Sequence, residues 1–251
     1  VNAVGSTAKS APLLEVSEIM LSYGKGAVGV SDVSLSVDEG QVVALIGPNG
    51  AGKTSTVRAI SGFLPIEGAK VSRGRVRFDG HDVTNGLPHT LARRGIAFVP
   101  ERMKIFPNLS VRENLLSVGH LPGRAERTAR ERRVADLFPE LAERGRELAG
   151  RLSGGQRQML ALGRAIMSNP RLLIVDEMSL GLHHSLQPRL FRAVRDLART
   201  GAAVILVDES TGLNLDVADY CYVLGNGMVR AAGEPDQLRK GDLISDVYLE
   251  G

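Results

Sequence analysis

Eight residues constrain this chain more than any others. Gly47-Pro-Asn-Gly-Ala-Gly-Lys53-Thr54 carries glycine at its first, fourth and sixth positions and ends in Lys-Thr. The five residues ahead of it are all apolar and read as a buried strand. Residues 55–60 behind it open a helix that runs to about Gly62. Glycines in such a loop let successive backbone N–H groups converge on one anion, and the helix N-terminus adds partial positive charge. From this position Lys53 would reach the β- and γ-phosphates of a nucleotide, and Thr54 would turn its hydroxyl to Mg²⁺.

The rest of the chain repeats the strand–helix theme. Strands are expected over residues 14–21, 33–37, 41–46, 75–78, 96–99, 172–175 and 202–207, and a helix over 186–200. Turns fall at Asp38-Glu39-Gly40 and Asp79-Gly80. Residues 220–224 and 228–231 flank Gly225-Asn226-Gly227, a hairpin signal. Between about 110 and 170 strand patterns vanish, and Arg, Glu, Leu and Ala take over. The basic run from Arg124 to Arg133 is interleaved or followed by Glu126, Glu131, Asp136, Glu140, Glu143 and Glu147. That alternation reads as a solvated helix face rather than a nucleic-acid groove. The pattern is α/β, a mostly parallel sheet with a helical insertion.

Composition narrows the classes. At 251 residues and 43% apolar, the chain has enough length for a sizeable core. Its longest apolar run is six residues, 202–207, against the roughly 20 a membrane-spanning helix needs. Residues 1–11 are small and polar, expected to form a flexible arm without the apolar block of a signal peptide. A single cysteine, Cys221, excludes an internal disulfide and fits a reducing compartment. The net charge of +3 and 4% aromatics without tryptophan argue against nucleic acid as a direct partner.

Two further segments carry chemistry. Leu172-Leu-Ile-Val-Asp176-Glu177 is an apolar strand ending in two carboxylates, and open α/β sheets bind ligands at the C-terminal ends of their strands. Asp176 suits the magnesium shell, and Glu177 suits polarising an attacking water. Leu152-Ser-Gly-Gly-Gln156 precedes a helix, with Ser153 in the N-cap region and glycines exposing backbone N–H groups.

Phosphate loop, pentapeptide and acidic strand, in that order and spacing, resemble the ABC-type ATPases, the nucleotide-binding subunits of ABC transporters. The resemblance runs from Leu14 to about Gln237. It implies a P-loop NTPase of ABC type with a mixed, mostly parallel sheet, an antiparallel β subdomain and an inserted helical subdomain. Residues 12–251 would form one ATPase domain, with a core of about 12–105 and 171–251 and a helical subdomain of about 106–170. It implies ATP and Mg²⁺ as cofactors. Nucleotide contacts are expected from Gly47, Pro48, Asn49, Gly50, Ala51, Gly52, Lys53, Thr54 and Ser55, with Tyr23 stacking on adenine. Thr54, Glu101 and Asp176 would hold the metal, and Lys53, Glu177 and Glu209 would carry the chemistry.

The resemblance also implies partners. Two ATPase subunits, identical or not, pair head to tail, so that Ser153, Gly154, Gly155 and Gln156 of one close over ATP on the other. Transmembrane permease subunits dock after Val99-Pro100, near Ile105 and Phe106, residues that equally suit plain core packing. The chain would sit at the cytoplasmic face of the cell membrane. Val99-Pro-Glu-Arg, the stretch from Ile105 to Leu115, and Ser179-Leu-Gly-Leu182 are similar to the ATPase subunits of branched-chain amino-acid, urea and amide importers.

Three positions depart from the general pattern. Glu101 stands where glutamine is usual, and Leu182 where an aspartate is usual; both suit the importer branch. Glu209, in Leu206-Val-Asp-Glu-Ser210, falls on the switch histidine. Histidine or glutamine donates a hydrogen bond to the γ-phosphate, and an ionised glutamate cannot. Either hydrolysis is slowed or depends on the partner's site, or Glu209 turns away and Glu177 suffices. The chain would accordingly be an importer ATPase or a degenerate ATP-dependent clamp. A soluble ABC ATPase acting on DNA or ribosomes, a third reading, goes with long coiled coils or two cassettes. His183 and His184 read as surface loop residues, and Cys221 as inert core.

Overall fold

The computed structural model describes residues 11–24, 28–102, 105–118, 123–177, 186–209, 212–240 and 247. Its strands are β1 (Leu14–Ser22), β2 (Val28–Val37), β3 (Val42–Ile46), β4 (Lys70–Phe78), β5 (His81–Asp82), β6 (Ile96–Val99), β7 (Leu172–Asp176), β8 (Ala203–Asp208), β9 (Tyr220–Gly225) and β10 (Met228–Gly233). They form one sheet in the order β5-β4-β1-β2-β10-β9-β3-β8-β7-β6. Pairings among β5, β4, β1 and β2 are antiparallel, whereas β9-β3-β8-β7-β6 run parallel. The α/β fold with a mostly parallel half and an antiparallel half is the expected one.

Strands β3, β7 and β8 are buried along their whole length and apolar up to the carboxylates that end β7 and β8, because both faces are covered. Successive side chains on a strand alternate sides. Leu172 and Ile174 of β7 join a core with α1 (Lys53–Ser61) and the antiparallel strands, while Leu173 and Val175 join a second core. That second core is roofed by α3 (Val111–Leu116), α4 (Arg124–Leu137), α5 (Pro139–Glu143), α6 (Gly154–Met167) and α7 (Gln187–Ala198). The remaining helices are α2 (Pro88–Arg93), α8 (Gly212–Val217) and α9 (Pro235–Lys240).

Two strands begin earlier than expected, β2 at Val28 instead of residue 33 and β4 at Lys70 instead of 75. A bulge hides them. Glu18 has φ 47 and Gly74 has φ 83, and a Cβ on Gly74 would lie 2.4 Å from the Ser17 and Glu18 carbonyls. The two-residue alternation breaks there, and with it the strand signal. The hairpin of β9 and β10 is as expected, with Asn226 and Gly227 both at positive φ.

The arginine-rich helix α4 is solvated, with Val134 its buried residue. Its charges are used internally. Arg130 pairs with Glu126 and donates to Met167 O at 2.8 Å; Arg112 meets Glu131 at 3.1 Å; Arg133 reaches Thr200 Oγ1 at 3.2 Å.

Cys221 lies in β9 beside β3 with no solvent exposure, and burial pushes its thiol up to about 11. The thiolate is the reactive form. Iodoacetamide at pH 8 should therefore leave Cys221 unmodified in the folded chain and label it fully in denaturant, as read by mass spectrometry. Labelling of the folded chain at the rate of a free thiol would contradict the packing.

Candidate nucleotide site

Strands β3, β8 and β7 are neighbours, and their parallel registers pair Ile46 with Asp208 and Val207 with Asp176. The three strands therefore stop at nearly one level. The next residues along the chain are Gly47, Glu209 and Glu177, so the phosphate loop, Glu209 and the acidic pair share one sheet edge, with β8 in the middle. Such an edge is where open α/β sheets place their ligands.

The loop folds as its glycines allow. Gly50 and Gly52 have φ 80 and 97, and Gly52 caps α1 from the left-handed region. Lys53 is only 5% exposed, and its Nζ donates to Gly47 O at 2.7 Å and Pro48 O at 3.0 Å. An ammonium has three donors, so the loop carbonyls orient it while a third hydrogen remains for an incoming phosphate. Burial lowers the Lys53 pKa, and the charges of Glu209, Glu177, Asp176 and Asp208 oppose that shift.

Asp176 is nearly fully buried, and Thr54 Oγ1 lies 3.5 Å from its Oδ1, a long contact. Burial raises the Asp176 pKa, while Thr54 pulls it down. Glu177 turns out of the strand at φ 48, with its N–H donating to Val207 O at 2.8 Å. Its pKa is raised by burial, then by Glu101, Asp176 and Glu209. Glu101 follows β6 and pairs with Arg102 at 3.1 Å.

The crowding of carboxylates around one lysine tests whether a divalent cation fits. A hydroxyl and a carboxylate face each other, and the surrounding negative charge is mutually repulsive. Mg²⁺ takes oxygen ligands, commonly one or two carboxylates together with substrate phosphates. The donor set fits.

Ser153 is the N-cap of α6. Its hydroxyl accepts from Gln156 N, and Gln156 Oε1 accepts from Ser153 N, a complete capping box. The helix packs on β6, α3, α4 and α5. Ser153 and Gly154 are exposed and Gly155 is buried. Ile105 and Phe106 part company: Ile105 packs on the second core, whereas Phe106 is 48% exposed, its ring under the Arg164 guanidinium at 4.6 Å. Tyr23 follows β1, with its hydroxyl 2.7 Å from Ser55 Oγ.

Asp208 is a carboxylate at this edge that has no role among the expected site residues. The residue is buried there, 5% exposed. The signal was present, since 202–207 is an apolar run ending in a carboxylate like that of β7. Ser179, Leu182, His183, His184, Ser210 and the expected arm, apart from Ala11, lie outside the described residues.

A family model described as ABC transporter matches residues 30–179. The chain belongs to the ABC transporter family. This ABC ATPase is 37% identical over 240 residues to the high-affinity branched-chain amino acid transport ATP-binding protein BraG of Pseudomonas aeruginosa, covering 95% of the chain and 100% of BraG. It is 33% identical to the lipopolysaccharide export system ATP-binding protein LptB of Haemophilus influenzae, covering 94% and 97%. Among solved structures, the ADP conformation of MJ1267, an ATP-binding cassette of an ABC transporter, superposes with a TM-score of 0.82 at 27% identity, covering 96% and 100%. The ABC cassette therefore accounts for both halves of the sheet and for the helical insertion. Among its described residues no helix is long and apolar enough to cross a membrane.

Proposed function

We propose that this ABC ATPase binds and hydrolyses ATP to power an importer of branched-chain amino acids or a similar small polar solute. The observation that carries the catalytic reading is the convergence of Lys53, Thr54, Asp176 and Glu177 on one sheet edge. Lys53 and the loop N–H groups hold the β- and γ-phosphates. Thr54, Asp176 and Glu101 are the residues that would hold Mg²⁺, which when bound offsets phosphate charge. Glu177, its pKa raised, accepts a proton from the attacking water. Tyr23 supports the adenine. The higher identity to BraG, 37% against 33% for LptB, supports the amino-acid reading over lipopolysaccharide export, as does the resemblance of Val99-Pro-Glu-Arg and residues 105–115 to importer subunits.

Ser153 and Gly155 act on the partner's nucleotide, which is why the exposed cap of α6 is aimed outward. The division into an ATPase core and a helical subdomain over 106–170 is part of the same reading. Phe106, Leu109 and Leu148 are exposed apolar residues of that helical segment, and they suit a permease at the cytoplasmic face. A second reading rests on Glu209: a clamp that closes on ATP and hydrolyses it poorly.

Nucleotide-dependent pairing tests the core proposal. With turnover blocked by Glu177→Gln, MgATP should shift the chain from monomer to dimer in sedimentation velocity, and Ser153→Arg should abolish the shift. A dimer that forms regardless of Ser153→Arg would sink the head-to-tail arrangement.

A further inference from the structure

The Tyr23 ring is held from two sides by residues that play no part in stacking. On one side its hydroxyl sits 2.7 Å from Ser55 Oγ, on the first turn of α1 and one residue beyond Thr54. On the other side the ring lies against the backbone of β2. A Cβ on Gly29 would stand 2.5 Å from Tyr23 Cε2 and 3.3 Å from Cδ2, so the ring occupies the space a side chain there would fill. The ring also packs on the core that contains Val30 and Val57.

We infer that Ser55 and Gly29 position the Tyr23 ring, and that the Tyr23–Ser55 hydroxyl pair ties recognition of the base to recognition of the phosphates. The inference rests on the nucleotide site proposed above. A hydroxyl offers one proton and two lone pairs. When Tyr23 donates to Ser55 Oγ, the Ser55 O–H is left to donate a hydrogen bond to an anionic oxygen beside the phosphate loop. The chain of donors then runs from ring to loop, and each bond polarises the next. A phosphate drawing on Ser55 therefore fixes the ring, and a fixed ring offers the base a preformed face, lowering the ordering cost of stacking. Ser55 is a positioning residue in this scheme, and Tyr23 is the contact.

Titration calorimetry on the full chain with MgATP and with magnesium tripolyphosphate tests it, because the ratio of the two affinities isolates the base. Direct loss of a phosphate contact by Ser55 affects both ligands and cancels in the ratio. Tyr23→Phe keeps the ring and removes the hydroxyl; it should lower the preference for ATP by about 2- to 12-fold, the worth of one net hydrogen bond. Ser55→Ala should do the same, the double variant should add nothing, and Ser55→Thr should retain the preference. Gly29→Ala, which touches neither hydroxyl, should displace the ring and lower the ratio equally. An unchanged ratio in Tyr23→Phe, or single effects that multiply in the double variant, would overturn the inference. If the unsubstituted chain binds neither ligand, the nucleotide site itself is wrong.

Discussion

Replacing Glu177 by glutamine should cut steady-state ATP turnover by about 10²- to 10⁴-fold, the usual worth of a positioned general base. The substitution keeps size and shape and removes only the ability to take a proton. The backbone of Glu177 is held by its N–H on Val207 O, and β8 supports that contact, so the variant has no reason to refold locally. ATP affinity, which the proposed site assigns to Lys53 and the loop, should stay within a few-fold. Turnover measured by phosphate release, beside affinity measured by calorimetry, separates the two. A Glu177→Gln chain that still turns over within a few-fold of the original would move the base elsewhere, to Asp208 at the end of the neighbouring strand or Glu209 just after it.

Replacing Glu209 by glutamine should act in the opposite direction. Glu209 follows β8, between the phosphate loop after β3 and Glu177 after β7. Its charge acts on both Lys53 and Glu177. An ionised glutamate presents like charge to a γ-phosphate and has no proton to donate, whereas glutamine donates from its amide. A hydrogen bond to a charged group contributes about 1.5–3 kcal/mol, so the single-turnover rate should rise by roughly 10- to 100-fold if that bond forms in the transition state. The same change removes one of the charges that raise the Glu177 pKa, so Glu177 stays ionised to lower pH and the acid limb of the rate profile moves down. Glu209→Gln with an unchanged single-turnover rate would mean that the side chain faces away from the phosphate.

Local signals marked the candidate site residues because each of them closes a strand or opens a helix. The phosphate loop is glycine spacing between an apolar strand and a helix. Asp176 and Glu177 end a run of buried aliphatics. Ser153 and Gln156 stand three apart ahead of a helix, the spacing of a capping box. The short helix α2 and the early starts of β2 and β4 escaped because their stability comes from neighbours. Bulges and six-residue helices leave no period long enough to read.

What the amino-acid order determined by itself was the set of parts: a phosphate loop, an acidic strand, a capped signature helix and an arginine-rich insertion whose charges are balanced. Tertiary structure decided which parts meet. Only the strand order β3-β8-β7 puts Glu209 between Lys53 and Glu177, and only the return of β1 and β2 past α1 puts the Tyr23 hydroxyl on Ser55. Those contacts join residues 32 or more positions apart. They depend on strand pairing across the sheet, which follows from burying both of its faces and not from any local preference along the chain.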